Sequence, residues 1–148
     1  MERALAAAQK GVRLAPGNYH NHWLLSRVHY FMGQRDLFLA EAQNALDLNS
    51  SDGTTLGLIG MYMAFSGDWD RGLAMVEKAK LLNPNFPDYY HLDTGCGAFV
   101  KGNYQDALDQ MLKANLVDFP LFQIILIATY ARLNRSEDAY RQVEDLQR

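Results

Sequence analysis

The chain has 148 residues, 49% hydrophobic and 21% charged, and 14 Lys and Arg against 17 Asp and Glu give it a formal charge of -3. That length suits one ordinary domain or a short run of repeats, and the composition excludes a disordered chain. The charge balance supplies no counterion-release drive toward nucleic acid or anionic lipid.

The first element is a helix over 3–14. Gln9, Lys10 and Arg13 interrupt its alanines too early for a signal peptide. Helix pairs follow at 19–32 with 36–49 and at 53–66 with 70–83. Two more lie at 88–101 with 104–117 and at 120–133 with 136–147. The nearly apolar stretches Leu56–Phe65 and Leu121–Ala131 fall inside this series and are shorter than the roughly 20 residues of a membrane span. No segment alternates like a strand. Cys96 is the only cysteine, so no internal disulfide can form. A reducing, cytoplasmic setting is expected.

A period runs through the series. The turn residues Gly33, Gly67, Gly102 and Asn134 are spaced by 34, 35 and 32. Glycine takes the left-handed conformation that often ends a helix, and Asn tolerates it, so these four close the first helix of each pair. Asp68 and Asn103 follow as N-caps for the next helix. Small or apolar residues recur as Ala4, Phe38, Gly72, Ala107 and Ala139. Four residues on come Ala8, Ala42, Val76, Met111 and Val143, and then Gly11, Ala45, Ala79, Ala114 and Leu146. Spacings of four and three put these columns on one helical face, where small side chains let two helices pack closely. Asn83-Pro84 ends a second helix, because proline disfavours helical geometry in the residue before it.

The segments Gly67-Asp68-Trp69-Asp70-Arg71-Gly72 and Gly102-Asn103-Tyr104-Gln105-Asp106-Ala107 resemble the turn, aromatic and small-residue signature of the tetratricopeptide repeat. Ile59-Gly60 resembles its Leu-Gly pair, and Ala79-Lys80-Leu81-Leu82-Asn83-Pro84 its helix exit. The departures are Phe38 in place of a small residue, Ile127 in place of a glycine, and a short last unit. Trp23 and Tyr90 lie one position off the column of His22, Leu56 and His91, which leaves the phase of the first helices open by one residue. The resemblance implies an all-α, right-handed solenoid of antiparallel helix pairs, with four full units and one preceding helix. It is taken as a single domain over 1–148 with units at about 1–18, 19–52, 53–86, 87–119 and 120–148. The uncapped ends leave two readings, an excised part of a longer protein or a chain that dimerises through an open end. The link Pro84–His91 and the segment Tyr130–Ala139 more loosely resemble tetratricopeptide tails of bacterial signalling proteins with class III adenylate cyclase or winged-helix domains.

The sequence carries little that suggests catalysis. His20 and His22 diverge on a helix, His22 and His29 lie about two turns apart, and no second cysteine completes a zinc set. Surface or groove histidines are expected, with no metal and no cofactor. Asp68 and Asp70 suit a helix N-terminus and lack the further ligands of a calcium loop. Cys96 with His91 is the one pair that could be named for nucleophilic chemistry, but Cys96 falls in mid-helix without an activating charge. The expectation is a non-catalytic module.

In the solenoid implied by the resemblance, the first helices line a concave face. The expected lining is His20, Trp23, Arg27, Tyr30 and Phe31, then Met61, Ala64 and Phe65. The later units supply Tyr89, Leu92, Cys96 and Phe99, then Ile124, Ala128, Ala131 and Arg132. The Lys, Asn and Arg clamp with which some family members hold a terminal carboxylate is missing. An apolar, aromatic lining is expected to take an amphipathic helix or hydrophobic peptide, with Arg27 against an acidic residue. The partner would be a protein segment, not nucleic acid or membrane, and the module could regulate an attached signalling domain. A small-ligand sensor is the alternative.

Overall fold

The computed structural model describes residues 1–116 and 118–146. Among them are nine helices and no strand. The chain divides into two compact units, Met1–Asn85 and Phe86–Arg148. The first holds α1 (Glu2–Leu14), α2 (Tyr19–Phe31), α3 (Arg35–Leu48), α4 (Gly53–Phe65) and α5 (Trp69–Leu82). The second holds α6 (Tyr89–Val100), α7 (Tyr104–Ala114), α8 (Pro120–Arg132) and α9 (Ser136–Leu146). Every expected helix is present, and most ends agree within a residue. The exception is α7, which stops at Ala114 because Asn115 turns left-handed at φ 46°. The expected extension to 117 ends on a residue outside the described set, as does position 147 after α9.

The four hairpins share one turn. Gly33, Gly67, Gly102 and Asn134 have φ of 70°, 100°, 81° and 58°. At each, two amides close the preceding helix in the same way. The Gly33 amide donates to the Tyr30 carbonyl at 3.0 Å and the Gln34 amide to the His29 carbonyl at 2.9 Å. The matching pair around Asn134 is Asn134 to Ala131 at 3.2 Å and Arg135 to Tyr130 at 2.9 Å. These bonds satisfy carbonyls that a helix end otherwise leaves open. Asp68 caps α5 by accepting from the Arg71 amide at 3.4 Å. Asn103 departs from expectation: its side chain makes no capping bond, and only its carbonyl accepts, from the Ala107 amide at 2.9 Å. Asn18 and Asp52 are the caps the sequence reading missed, accepting from His20 and Thr54 at 2.9 and 3.0 Å.

The core of the first unit gathers Trp23, Phe38, Ala42, Ala45, Ile59 and Met63. The small-residue columns are buried in the inner helices, with Gly72, Ala42, Val76, Ala45 and Ala79 all inside. Gly72 meets α4 most closely. A methyl on it would lie 2.5 Å from both the Ala64 nitrogen and the Gly60 carbonyl oxygen. In the preceding hairpin Phe38 fills the same column, fully buried and edge-on to the Tyr30 ring at 5.6 Å. There α2 carries Ser26 and Tyr30 where α4 carries Gly60 and Ala64. In the second unit, Tyr90, Ala107, Leu108, Met111 and Phe122 are buried. Ala4 at one end of the columns is exposed and Ala139 at the other is half-buried.

Gly72→Ala is therefore expected to destabilise the protein by about 1–2 kcal/mol in urea unfolding. Because the clash is with backbone, the overpacking cost falls in the upper part of its usual range, about 2–3 kcal/mol, against the roughly 1 kcal/mol that alanine gains in helix propensity. An unchanged or raised midpoint would contradict the close crossing.

Candidate functional site

Alpha-helical spacing brings α2 and α4 together through their aromatic side chains. Trp23 stacks on Tyr62 with ring centres 5.6 Å apart and planes 29° from parallel. Tyr30 lies 4.4 Å from Tyr62, and Phe31 meets Tyr62 edge-on at 5.7 Å. Trp23 is 3% exposed and anchors this cluster from inside, while Phe31 is 57% exposed and Tyr30 and Tyr62 are half-buried. Further along α4, Phe65 is 37% exposed and meets Trp69 edge-on at 5.2 Å. Met61 is half-buried.

Arg27 is exposed on α2, four residues before Phe31, and makes no ion pair among the described residues. Its charge reaches the aromatic cluster. Burial pushes the Tyr62 phenol above its ordinary value, the Arg27 guanidinium offsets part of that, and Tyr30 adds to it. The result is a patch of exposed aromatic edges beside an unpaired cation, the composition that dominates energetic hot spots at interfaces.

The expected lining needs correction at four residues. Trp23 and Ala64 are core, and in the second unit Leu92 and Cys96 are only 5% and 3% exposed. Each faces inward on its helix and offers almost no surface. His20 is exposed but sits at the start of α2 beside Tyr19, ring centres 6.2 Å apart, outside the cluster. In the second unit Tyr89 and Phe99 are half-buried. Phe99 meets Tyr104 edge-on at 5.4 Å, and the Arg132 guanidinium lies over the Tyr104 ring at 4.7 Å. Ile124 and Ala131 are exposed and Ala128 is half-buried. The sequence reading missed Tyr62. Its signal was a large ring at the repeat position where the other units hold Val28, Gly97 and Thr129.

Two of the four histidines, His22 and His29, are buried where surface or groove positions were expected. His22 is buried, its Nδ1 2.6 Å from Glu41 Oε2 and its Nε2 2.9 Å from the Pro16 carbonyl. Both partners are acceptors, and only the protonated ring can donate from both nitrogens at once, so the arrangement favours the imidazolium. Burial opposes the charge, but the bonds to Glu41 and Pro16 and the Glu41 charge outweigh it and raise the pKa. Buried His29 donates Nδ1–H to Gln34 Oε1 at 2.7 Å, and half-buried His91 donates to Gln110 Oε1 at 2.8 Å. Among the described residues no three of His, Cys, Asp and Glu gather into a metal-sized group. The Cys96 thiol is pushed up to about 12, first by burial and then by the charge of Asp93. It stays protonated at neutral pH, so the Cys96–His91 pair lacks a nucleophile.

No family model and no curated protein matches the sequence. Solved structures do match its fold. The structure described as pilF of Pseudomonas aeruginosa superposes with a TM-score of 0.83 at 14% identity, over 97% of this chain and 66% of that one. A chain of the APC/C hetero-tetramer Cut9–Hcn1 matches with a TM-score of 0.81 at 16% identity, over 95% of this chain and 29% of that one. YrrB, described as a TPR protein with an unusual peptide-binding site, matches with a TM-score of 0.69 at 19% identity, over 97% and 75%. This chain has the tetratricopeptide-repeat fold, the α-solenoid class implied by its sequence columns.

Two measurements check the chemistry of this region. His22 contributes stability that is fully present below the ordinary histidine pKa of about 6.5 and is lost as pH rises through its raised folded value. The urea midpoint should fall across that window in the wild type, and His22→Gln should flatten the fall. An identical slope in both would remove His22 as its source. Cys96 should react with a thiol reagent at pH 8 only as fast as the protein unfolds, and rapid labelling of the native chain would contradict its burial.

Proposed function

We propose that the chain is a non-catalytic protein-interaction module, and that the α2–α4 face of its first unit takes an apolar or amphipathic segment of a protein partner. One observation carries this reading: the exposed Phe31 and Phe65 edges flank an aromatic cluster beside Arg27, a cation that makes no ion pair among the described residues. Phe31 and Phe65 offer apolar area for side chains spaced by three and four residues. Arg27 selects an acidic residue at the edge of that contact. The peptide-binding site of YrrB and the Cut9–Hcn1 assembly support a peptide or protein as the class of partner. The resemblance of the 84–91 and 130–139 segments to tails of signalling proteins supports regulation of an attached domain as the setting.

The test uses a labelled amphipathic helical peptide with Leu at i, i+3, i+4 and i+7 and Glu on one flank, read by fluorescence anisotropy. Arg27→Glu and Phe31→Ala are each expected to weaken binding about thirtyfold, the equivalent of about 2 kcal/mol for a hot-spot residue. Both positions are exposed, so the fold should survive, with an unchanged helical circular dichroism spectrum. Replacing the peptide's Glu by Lys should weaken wild-type binding and restore binding to Arg27→Glu. Equal affinity of all these pairs would reject the assignment of this face.

A further inference from the structure

One lattice position distinguishes the hairpins. His22 bonds to Glu41 and His91 to Gln110, partners nineteen residues apart in each case. In the α4–α5 hairpin the same position holds Leu56 and Met75. The polar pairs of those two hairpins satisfy themselves, whereas this apolar pair opens into a cavity of about 400 Å³. Leu46 and Met63 complete the floor with Leu56 and Met75. On the α5 wall Arg71, Ala74 and Lys78 form one stripe, with the small Ala74 leaving a notch between two cations. Lys78 is exposed and makes no ion pair among the described residues. Arg71 shares an exposed pair with Asp68 at 3.3 Å, and on the α3 wall Gln43 donates to Asp47 at 2.7 Å.

We propose that this cleft is a second binding site, for a medium-chain aliphatic carboxylate, with the carboxylate on Lys78 and Arg71 and the tail along Leu46, Leu56, Met63 and Met75. Charge complementarity selects the head group: Lys78, a cation that makes no ion pair among the described residues, stands at the rim of an apolar floor. Size selects the tail. A cavity of about 400 Å³ lies at the small end of small-molecule sites, roughly 300–1,000 Å³, and suits a single extended chain. The site is separate from the α2–α4 face, since Met63 lies two residues, and so about 200° around α4, from both Met61 and Phe65.

Titration calorimetry with sodium decanoate, kept below its micelle-forming concentration, tests the assignment. One saturable site is expected. Decylamine should bind at least tenfold more weakly, and octanoate about tenfold more weakly for the loss of two buried methylenes. Lys78→Glu should weaken decanoate at least tenfold. The pair Leu56→His with Met75→Glu, which copies the polar clasp of the first hairpin, should abolish binding while circular dichroism reports an intact fold. Arg27→Glu should bind decanoate like the wild type, so failure of this site and failure of the α2–α4 face are distinguishable. Should Lys78→Glu alone fold poorly, Lys78→Gln and the octanoate series carry the test. Absence of saturable binding, equal binding of decylamine, or tighter binding of an apolar tetrapeptide acid than of decanoate would overturn the proposal.

Discussion

Each hairpin is built on one left-handed residue. A helix that ends with two amides folded back onto its last carbonyls points the chain into a fixed reversal, and the second helix then meets the first along a fixed face. Gly33, Gly67, Gly102 and Asn134 repeat this geometry with nearly the same bonds. Once it is set, the side chains that meet across the hairpin are determined, and so are those left over. Phe31 and Phe65 stay exposed because they lie two residues before their turns, at the helix exit where the second helix does not cover them.

At the crossing, close approach and side-chain volume trade against each other. Gly72 lets α5 approach the α4 backbone until there is no room for a methyl, and that contact is held by many small dispersion terms. Phe38 fills the same column by packing against another ring, with Ser26 and Tyr30 facing it. The same substitution logic governs the outer position nineteen residues across the first three hairpins. A buried or half-buried histidine there needs an acceptor and finds Glu41 or Gln110, since an unsatisfied polar group would cost about 1–3 kcal/mol. A leucine needs an apolar neighbour and faces Met75. Both members of each pair change together, so the register of the two helices is encoded twice.

This is why the fold was legible and the site only partly so. The columns of small residues and the turn residues sit at positions where sterics admit few choices, and their period can be read from one chain. The matched bonds of His22 and His91 also settle the phase that Trp23 and Tyr90 left open by one residue. The expected lining rested on which side of a first helix each aromatic faces. Neighbouring residues differ by about 100° around a helix, so a small rotation exchanges core for surface. Trp23 turned inward and Tyr62, one residue beyond the expected Met61, joined the exposed cluster. Leu92 and Cys96 met the same fate, being apolar and therefore equally at home inside. Arg27 was legible because a guanidinium has few places to go but the surface.

The central helix of the first unit makes the division of labour plain. From Gly53 to Phe65, α4 carries no charged side chain at all, yet it is not wholly enclosed. Its exposed side around Phe65 and its opposite side around Leu56 both depend on charges supplied by other helices, Arg27 from α2 and Arg71 and Lys78 from α5. An uncharged helix edged by cations from its neighbours suits the apolar ligands with a negative end that we propose for both sides. Hydrophobic area supplies the non-directional attraction, and the neighbouring cations supply the orientation. In the binding we propose, selectivity resides less in the helix that is touched than in the charged helices beside it.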